Sequence, residues 1–390
     1  MTTLTVGSTG DYSTFGDLLT YLRGIDPLGD DYTILVQDET FNELVYWDVD
    51  NGGNTVTIEP VPGATPIIDG ESTRDHAIDI EGGGGLIIKS IQMEDTLGGA
   101  VCVHSDVTQA VQVLGCSFYR CLRGVNDGNN DMDLLVQGCY FEDMDEDAVD
   151  CYSYNGLKII RGCHAHWTSS GPTADFGFEF DGTGDANCII EGCRIDTDDV
   201  TKGPAHAIFG ANYTVDRCKV FNPRGSFFRP GWGSTFVLRR SLASASAGSC
   251  YHGVYSTGGT TWTILNCLIR GAGRSYTGVR VTGGSTVTIK NTGFLDLSSD
   301  SAVDTDAGTT VDNSYNGYYN CATKVGGGGS WNNPETGEVT TDPTEYGDDG
   351  DLIPEGSPWE GAGTDVGLPY PGTAADIGCE ELMPANLMES

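Results

Sequence analysis

An all-β solenoid of stacked triangular coils is the fold class this sequence predicts, and three observations predict it. A phrase with one cysteine recurs along the chain: VLGCSF, VQGCYF, IRGCHA, IEGCRI, VDRCKV and LNCLI place Cys116, Cys139, Cys163, Cys193, Cys218 and Cys267 at equivalent positions. A second phrase recurs upstream of it, beginning at Ala77, Ala100, Gly124, Ala148, Gly177, Ala207, Phe227, Gly253, Gly278 and Ala302, with a period of about 25 residues. The 56 Gly have no collagen period, so they punctuate many short elements.

In chain order, residues 3 to 6 read as a strand, and the segment Tyr12 to Leu22 sets Phe15, Leu18, Leu19 and Leu22 on one helical face, a lid for the first coil. Ten coils follow. The second position of the upstream phrase is Ile78, Val101, Val125, Val149, Phe178, Ile208, Phe228, Val254, Val279 and Val303, an unbroken apolar column that faces inward. Three residues before the cysteine position stand Val113, Val136, Ile160, Ile190, Val215, Leu238, Ile264 and Ile289, and two residues after it stand Phe118, Phe141, Ala165, Ile195, Val220, Ala243, Ile269 and Phe294. Three inward columns make three strands per coil. Past Tyr319 the period fails, Gly326 to Gly329 are four glycines in a row, and an acidic Pro/Asp-rich stretch runs to Pro358. The expected division is an N-terminal cap at 1–70 with the strand, helix and first irregular coils, a solenoid at 71–325, and a Gly/Asp/Pro-rich closure at 326–390.

The 13 Cys include no Cys-x-x-Cys, which removes zinc ribbons and thioredoxin-like chemistry, and their phrase position points to buried free thiols stacked as a ladder. Asp plus Glu number 56 against 20 Lys plus Arg, a net charge of −36, which excludes a phosphate-binding or nucleic-acid surface. No apolar run approaches the roughly 18 residues of a membrane helix, and Met1-Thr-Thr leads into a strand without a basic and apolar export signal. The expectation is neither membrane insertion nor export by the general route.

These residues resemble the right-handed parallel β-helix superfamily of pectate lyases, polygalacturonases and viral tailspikes. GFEFDGTGDANCIIEGCRI is similar to its standard coil, TVGSTGDYSTFGDLLTYL to its opening strand and capping helix, and GTDVGLPYPGTAADIGCEE to a C-terminal closure common in it. The resemblance covers nearly the whole chain and implies the fold, while the same scaffold carries enzymes, adhesins and virion parts.

The outward position beside the first column reads Asp79, Cys102, Asn126, Asp150, Glu179, Phe209, Arg229, Tyr255, Arg280 and Asp304, the face on which the resembling lyases and hydrolases place their sites. Asp150 and Glu179 fall on successive coils about 5 Å apart, and with Asp181 they suit a hard cation such as Ca²⁺. Arg229 is the candidate proton acceptor, so Asp150, Glu179 and Arg229 are the catalytic candidates. Phe209, Trp232, Tyr251 and Tyr255 form an aromatic patch suited to stacking on sugar rings. His164 and His166 project outward from one strand, two potential metal ligands without a third. Asn212-Tyr213-Thr214 is the single glycosylation sequon. Asn-Thr-Asp, Gly-His-Gly and Arg-Ile-Lys are absent in the required order, which disfavours polygalacturonase-type hydrolysis.

A polysaccharide enzyme without an export route would not meet its substrate, whereas a virion protein assembles in the host cytoplasm and leaves by lysis. The first expectation is therefore a structural protein of the virion surface, a capsid turret, decoration protein or tailspike, homo-oligomeric among other virion proteins and binding host-surface glycan. The alternatives are a polysaccharide lyase or glycoside hydrolase on the same coils, and a cell-surface adhesin. The acidity further points to a halophilic source, because concentrated salt screens carboxylate repulsion. The melting temperature should accordingly rise steeply between about 0.05 and 2 M salt, where the Debye length shrinks several-fold; a flat series of melting curves would remove the halophilic expectation.

Overall fold

Repeated phrases produce coils because equivalent positions pair side by side in parallel. The computed structural model describes residues 1–341 apart from 83, 129–130, 153–155, 181–187, 232, 246–250, 272–275 and 299, and beyond them 357–359, 362–366 and 377–378. The chain is a right-handed parallel β-helix of about 11 turns, in two units, Met1–Cys188 and Ile189–Ser390.

In the first unit the strand Thr2–Val6 pairs with Tyr32–Val36, and helix α1 (Phe15–Arg23) buries the four apolar residues expected of the lid. The helix starts at Phe15 because Thr14 caps it, its hydroxyl accepting from Asp17 N at 3.0 Å. The Glu43 carboxylate accepts from Phe15 N and Gly16 N at 2.9 and 3.1 Å, where the helix end is positive. Coiling has already begun at Thr40–Phe41 and Val45–Trp47.

Ile78, Val101, Val125, Val149 and Phe178 are successive partners on the first face. Val113, Val136 and Ile160 are partners on the second, and Phe118, Phe141 and Ala165 on the third. All are buried, each large aliphatic contributing roughly 1.5–3 kcal/mol. Between the second and third faces the chain turns on one residue at positive φ, Gly115, Gly138 and Gly162 in turn. The next residue is the phrase cysteine, whose thiol points to the carbonyl two residues back: Cys116 to Leu114 at 3.7 Å, Cys139 to Gln137 at 3.5 Å and Cys163 to Arg161 at 3.4 Å. Two polar residues interrupt this interior. Asp127 continues the column of Val103 and Cys151, Lys158 that of Val111 and Leu134, and the two meet in a fully buried ion pair of 2.6 Å.

The second unit repeats the scheme with other corner residues. Cys193 and Cys218 are followed by Ser241, Cys267 and Thr292, and the Ser241 and Thr292 hydroxyls make the same bond to Arg239 O and Lys290 O at 2.8 and 3.2 Å. The corner takes a buried side chain of limited size, mostly a small donor but Ile91 in an early coil, and cysteine is one solution. The expectation that the period ends at Tyr319 is corrected: Thr323–Gly327 pairs with Ser301–Thr305, and Ser330–Thr336 with Thr310–Ser314. That coil was hidden because Val325 is the single large apolar residue of its first strand, TKVGG. The last described segments return along the third face, where Trp359 and Ile377 pack with Leu242, Leu268 and Leu295. A side chain at position 317 would stand 2.7 Å from the Trp359 ring, so Gly317 is required there.

All the phrase cysteines are free and buried. Thiol titration should leave Cys116, Cys139, Cys163, Cys193 and Cys218 unlabelled in native protein and detect them on unfolding; rapid native labelling at these positions would contradict the buried ladder.

Candidate functional sites

The outward row of the first unit runs Tyr46, Asp79, Cys102, Asn126, Asp150 and Glu179, neighbour by neighbour. Sequence places Asp150 and Glu179 on an exposed acidic row; the structure buries them, Asp150 completely and Glu179 to 7% exposure. Asp147 joins them, and one donor atom from each of the three lies within 4.8 Å of the others. Arg123 is the counter-charge, its Nε 3.2 Å from Asp150 and 3.3 Å from Asp147, with Glu146 on Nη2. One guanidinium does not balance these carboxylates. Both Asp150 oxygens are buried without a hydrogen bond. Burial, followed by the Asp147 charge, pushes the Asp150 carboxyl up to about 8. Asp147 is pushed up to about 7 by burial against the opposing pull of Arg123. An all-oxygen set with surplus negative charge fits a hard divalent cation such as Ca²⁺. Asp181 lies outside the described residues.

In the second unit the outward row sets Phe209 beside Arg229, and Tyr255 beside Arg280. The Arg229 guanidinium lies 5.5 Å from the Phe209 ring centre and 5.9 Å from that of Tyr255. His252 stacks on Tyr255 with ring centres 4.8 Å apart. Arg229 Nη1 is 2.7 Å from His206 Nε2, and since arginine only donates, the imidazole accepts. Burial, reinforced by Arg229, lowers His206 to about 3, and burial with Arg280 lowers His252 to about 4, so both rings are neutral at pH 7. Arg280 is engaged by Asp304 and Asp306. Arg229 has no carboxylate within ion-pair distance among the described residues.

Of the sequence candidates, Phe209, Tyr255 and Arg229 thus come together. Tyr251, 63% exposed, stands four residues before Tyr255, and its ring pairs with neither partner among the described residues. Trp232 lies outside them. His164 and His166 face outward about Ala165, ring centres 5.9 Å apart. The Asn212 side-chain oxygen accepts from Thr235 N at 2.9 Å, which ties the sequon into a coil corner. Sequence reasoning missed Arg123, His206 and His252; the available signal was a basic residue immediately before the Gly124 phrase and histidines immediately before the Ala207 and Gly253 phrases.

No family model matches the chain, and no curated protein matches it. Among solved structures it is similar to a rhamnogalacturonan lyase at 14% identity, over 76% of this chain and 82% of that one, with a TM-score of 0.45. An alginate lyase from Paenibacillus sp. str. FPU-7 is similar at 12% identity, over 87% and 98%, with a TM-score of 0.41. Pectate lyase Pel9A is similar at 13% identity, over 98% and 96%, with a TM-score of 0.42. These are likenesses of fold alone.

The acidic cluster generates a pH dependence. Folded-state carboxyls near 7 and 8, against about 4 in an unfolded chain, mean that the folded state holds more protons between those values. Stability is therefore full below about pH 4 and is lost as pH rises through 7 and 8. Melting temperature without divalent cations should fall from about pH 5 to 8.5, and Asp150→Asn should flatten the decline; a wild-type curve that rises over this interval would contradict the buried cluster.

Proposed function

We propose that the chain is a glycan-binding β-helix that takes acidic sugars, chains of uronate residues, on the first face of its second unit. One observation carries this reading: in a chain of net charge −36, Arg229 is held between two aromatic rings and a neutral imidazole without a carboxylate partner among the described residues. A cation without a carboxylate partner among the described residues suits an external anion, because a charge-assisted pair with a sugar carboxylate satisfies it. Phe209 and Tyr255 offer apolar surface to the sugar ring beside that charge. In the first unit Asp147, Asp150 and Glu179 would hold a hard divalent cation such as Ca²⁺, which supplies charge neutralisation to the coils. The setting that goes with this reading is the virion surface, the chain displayed as a homo-oligomer among other virion proteins and recognising host glycan. Polysaccharide lyase or hydrolase cleavage on the same coils is the alternative.

Calorimetric titration with an oligouronate and with a neutral glucan of equal length tests the reading. The uronate should bind more tightly, and Arg229→Ala should weaken it at least about tenfold, the loss of one charge-assisted contact of roughly 1.5–3 kcal/mol. Tyr255→Ala should weaken both ligands. Affinity should be constant from about pH 5 to 8, since His206 and His252 stay neutral throughout. Equal affinity for the two glycans, or full uronate binding by the Arg229 variant, would sink the proposal; unsaturated sugar products would convert the platform into a catalytic subsite.

A further inference from the structure

A different chemistry gathers around Asp79 on the early coils of the first unit. His76, Asp79 and Cys102 each bring one donor atom to within 4.8 Å of the others, and side-chain rotations that draw them to about 3.5 Å apart would seat a tetrahedral ion about 2.0–2.3 Å from each donor. Cys102 is set apart from the phrase cysteines. It sits on the outward row between Asp79 and Asn126, is 7% exposed, and its thiol makes no hydrogen bond among the described residues, whereas each ladder thiol has its carbonyl.

The other two donors are already oriented. His76 Nδ1 lies 2.9 Å from Gly99 O, and since a carbonyl only accepts, Nδ1 donates and Nε2 keeps its lone pair. Asp79 Oδ1 lies 2.7 Å from His104 Nε2, while Oδ2 takes no hydrogen bond among the described residues. His104 Nδ1 faces Glu81 at 3.7 Å, and the Tyr46 hydroxyl donates to Glu81. Imidazole tied to a carbonyl and carboxylate tied to an imidazole are the outer contacts that fix metal ligands.

We propose that His76, Asp79 and Cys102 form a binding site for a divalent transition-metal ion of the zinc class, with His104, Glu81 and Tyr46 as its outer shell and a fourth position open to water. A nitrogen, oxygen and sulfur set selects a borderline ion over Ca²⁺, which takes six to eight oxygens. Half-buried His76 gives the ion an approach from the coil edge. Without metal, burial and then Asp79 push the Cys102 thiol up to about 12. Binding forms a metal–sulfur bond and breaks the S–H bond, releasing one proton to solvent per ion, so affinity falls as pH falls.

The test uses the full chain, stripped with chelator and titrated with Co²⁺ as an optical probe. One equivalent should produce a thiolate-to-cobalt charge-transfer band and release one proton, and Zn²⁺ should bleach the band. Cys102→Ser and His76→Gln should lack it, whereas His104→Ala should keep it with affinity lowered about 10–100-fold. A wild-type protein without the band, a band that survives in Cys102→Ser, or displacement of cobalt by Ca²⁺ would each overturn the site. The wild-type spectrum decides even if a variant fails to fold.

Discussion

Each coil finds the partners for its backbone N–H and C=O groups on the coils before and after it, and the molecule follows from that constraint. Parallel pairing at fixed register stacks equivalent positions about 4.8 Å apart. An inward position must then be apolar in nearly every coil, because a polar group there meets only the position above and the position below. Outward positions inherit the same crowding, so a charge becomes part of a ladder. The arginines show the response: Arg123 sits among Asp147, Asp150 and Glu146, and Asp216 draws Arg239 and Arg240 together. Where the ladder is left unbalanced, the imbalance is available to a ligand.

The inward columns were legible because period and burial are the same signal; Ile78 to Phe178 and Ile208 to Val303 are buried as the alternation requires. The lid helix was legible from the spacing of Phe15, Leu18, Leu19 and Leu22. The burial of Asp150 was not, since it comes from side chains of neighbouring strands, Arg123, Asp147 and Glu179, crowding about it, which a repeat does not display. The Asp127–Lys158 pair was half legible: each residue breaks an apolar column, but they sit on different faces and are 31 residues apart, so only folding joins them. The structure brings Phe209 and Tyr255 of the expected aromatic patch together about Arg229, which sequence had assigned to catalysis. Contacts between adjacent coils at one register are visible in a repeat; the tautomer and protonation of His206 follow from burial, which a repeat does not display.

The two candidate sites are electrostatic opposites, each built on the outward row of its own unit. In the first unit carboxylates outnumber their guanidinium in a place closed to water, and the protein holds protons there or accepts a cation. In the second a guanidinium is left without a described carboxylate among aromatic rings. The first depends on full burial, which strengthens its charge interactions, while the second is half-buried and keeps a face open to a ligand.

The return of the chain along the second unit has a consequence for assembly. Leu242 and Leu268 begin their third-face strands, at the position where Lys219 stands one coil earlier. That change from charged to greasy marks the track beneath Trp359 and Ile377. An uncovered stripe of leucines between flat parallel strands would be an adhesive edge toward any second copy of the molecule. By laying its own tail there, the chain occupies the stripe intramolecularly, at an effective concentration no neighbour can match. Lateral association through the stretch that Trp359 and Ile377 cover would first have to displace the tail.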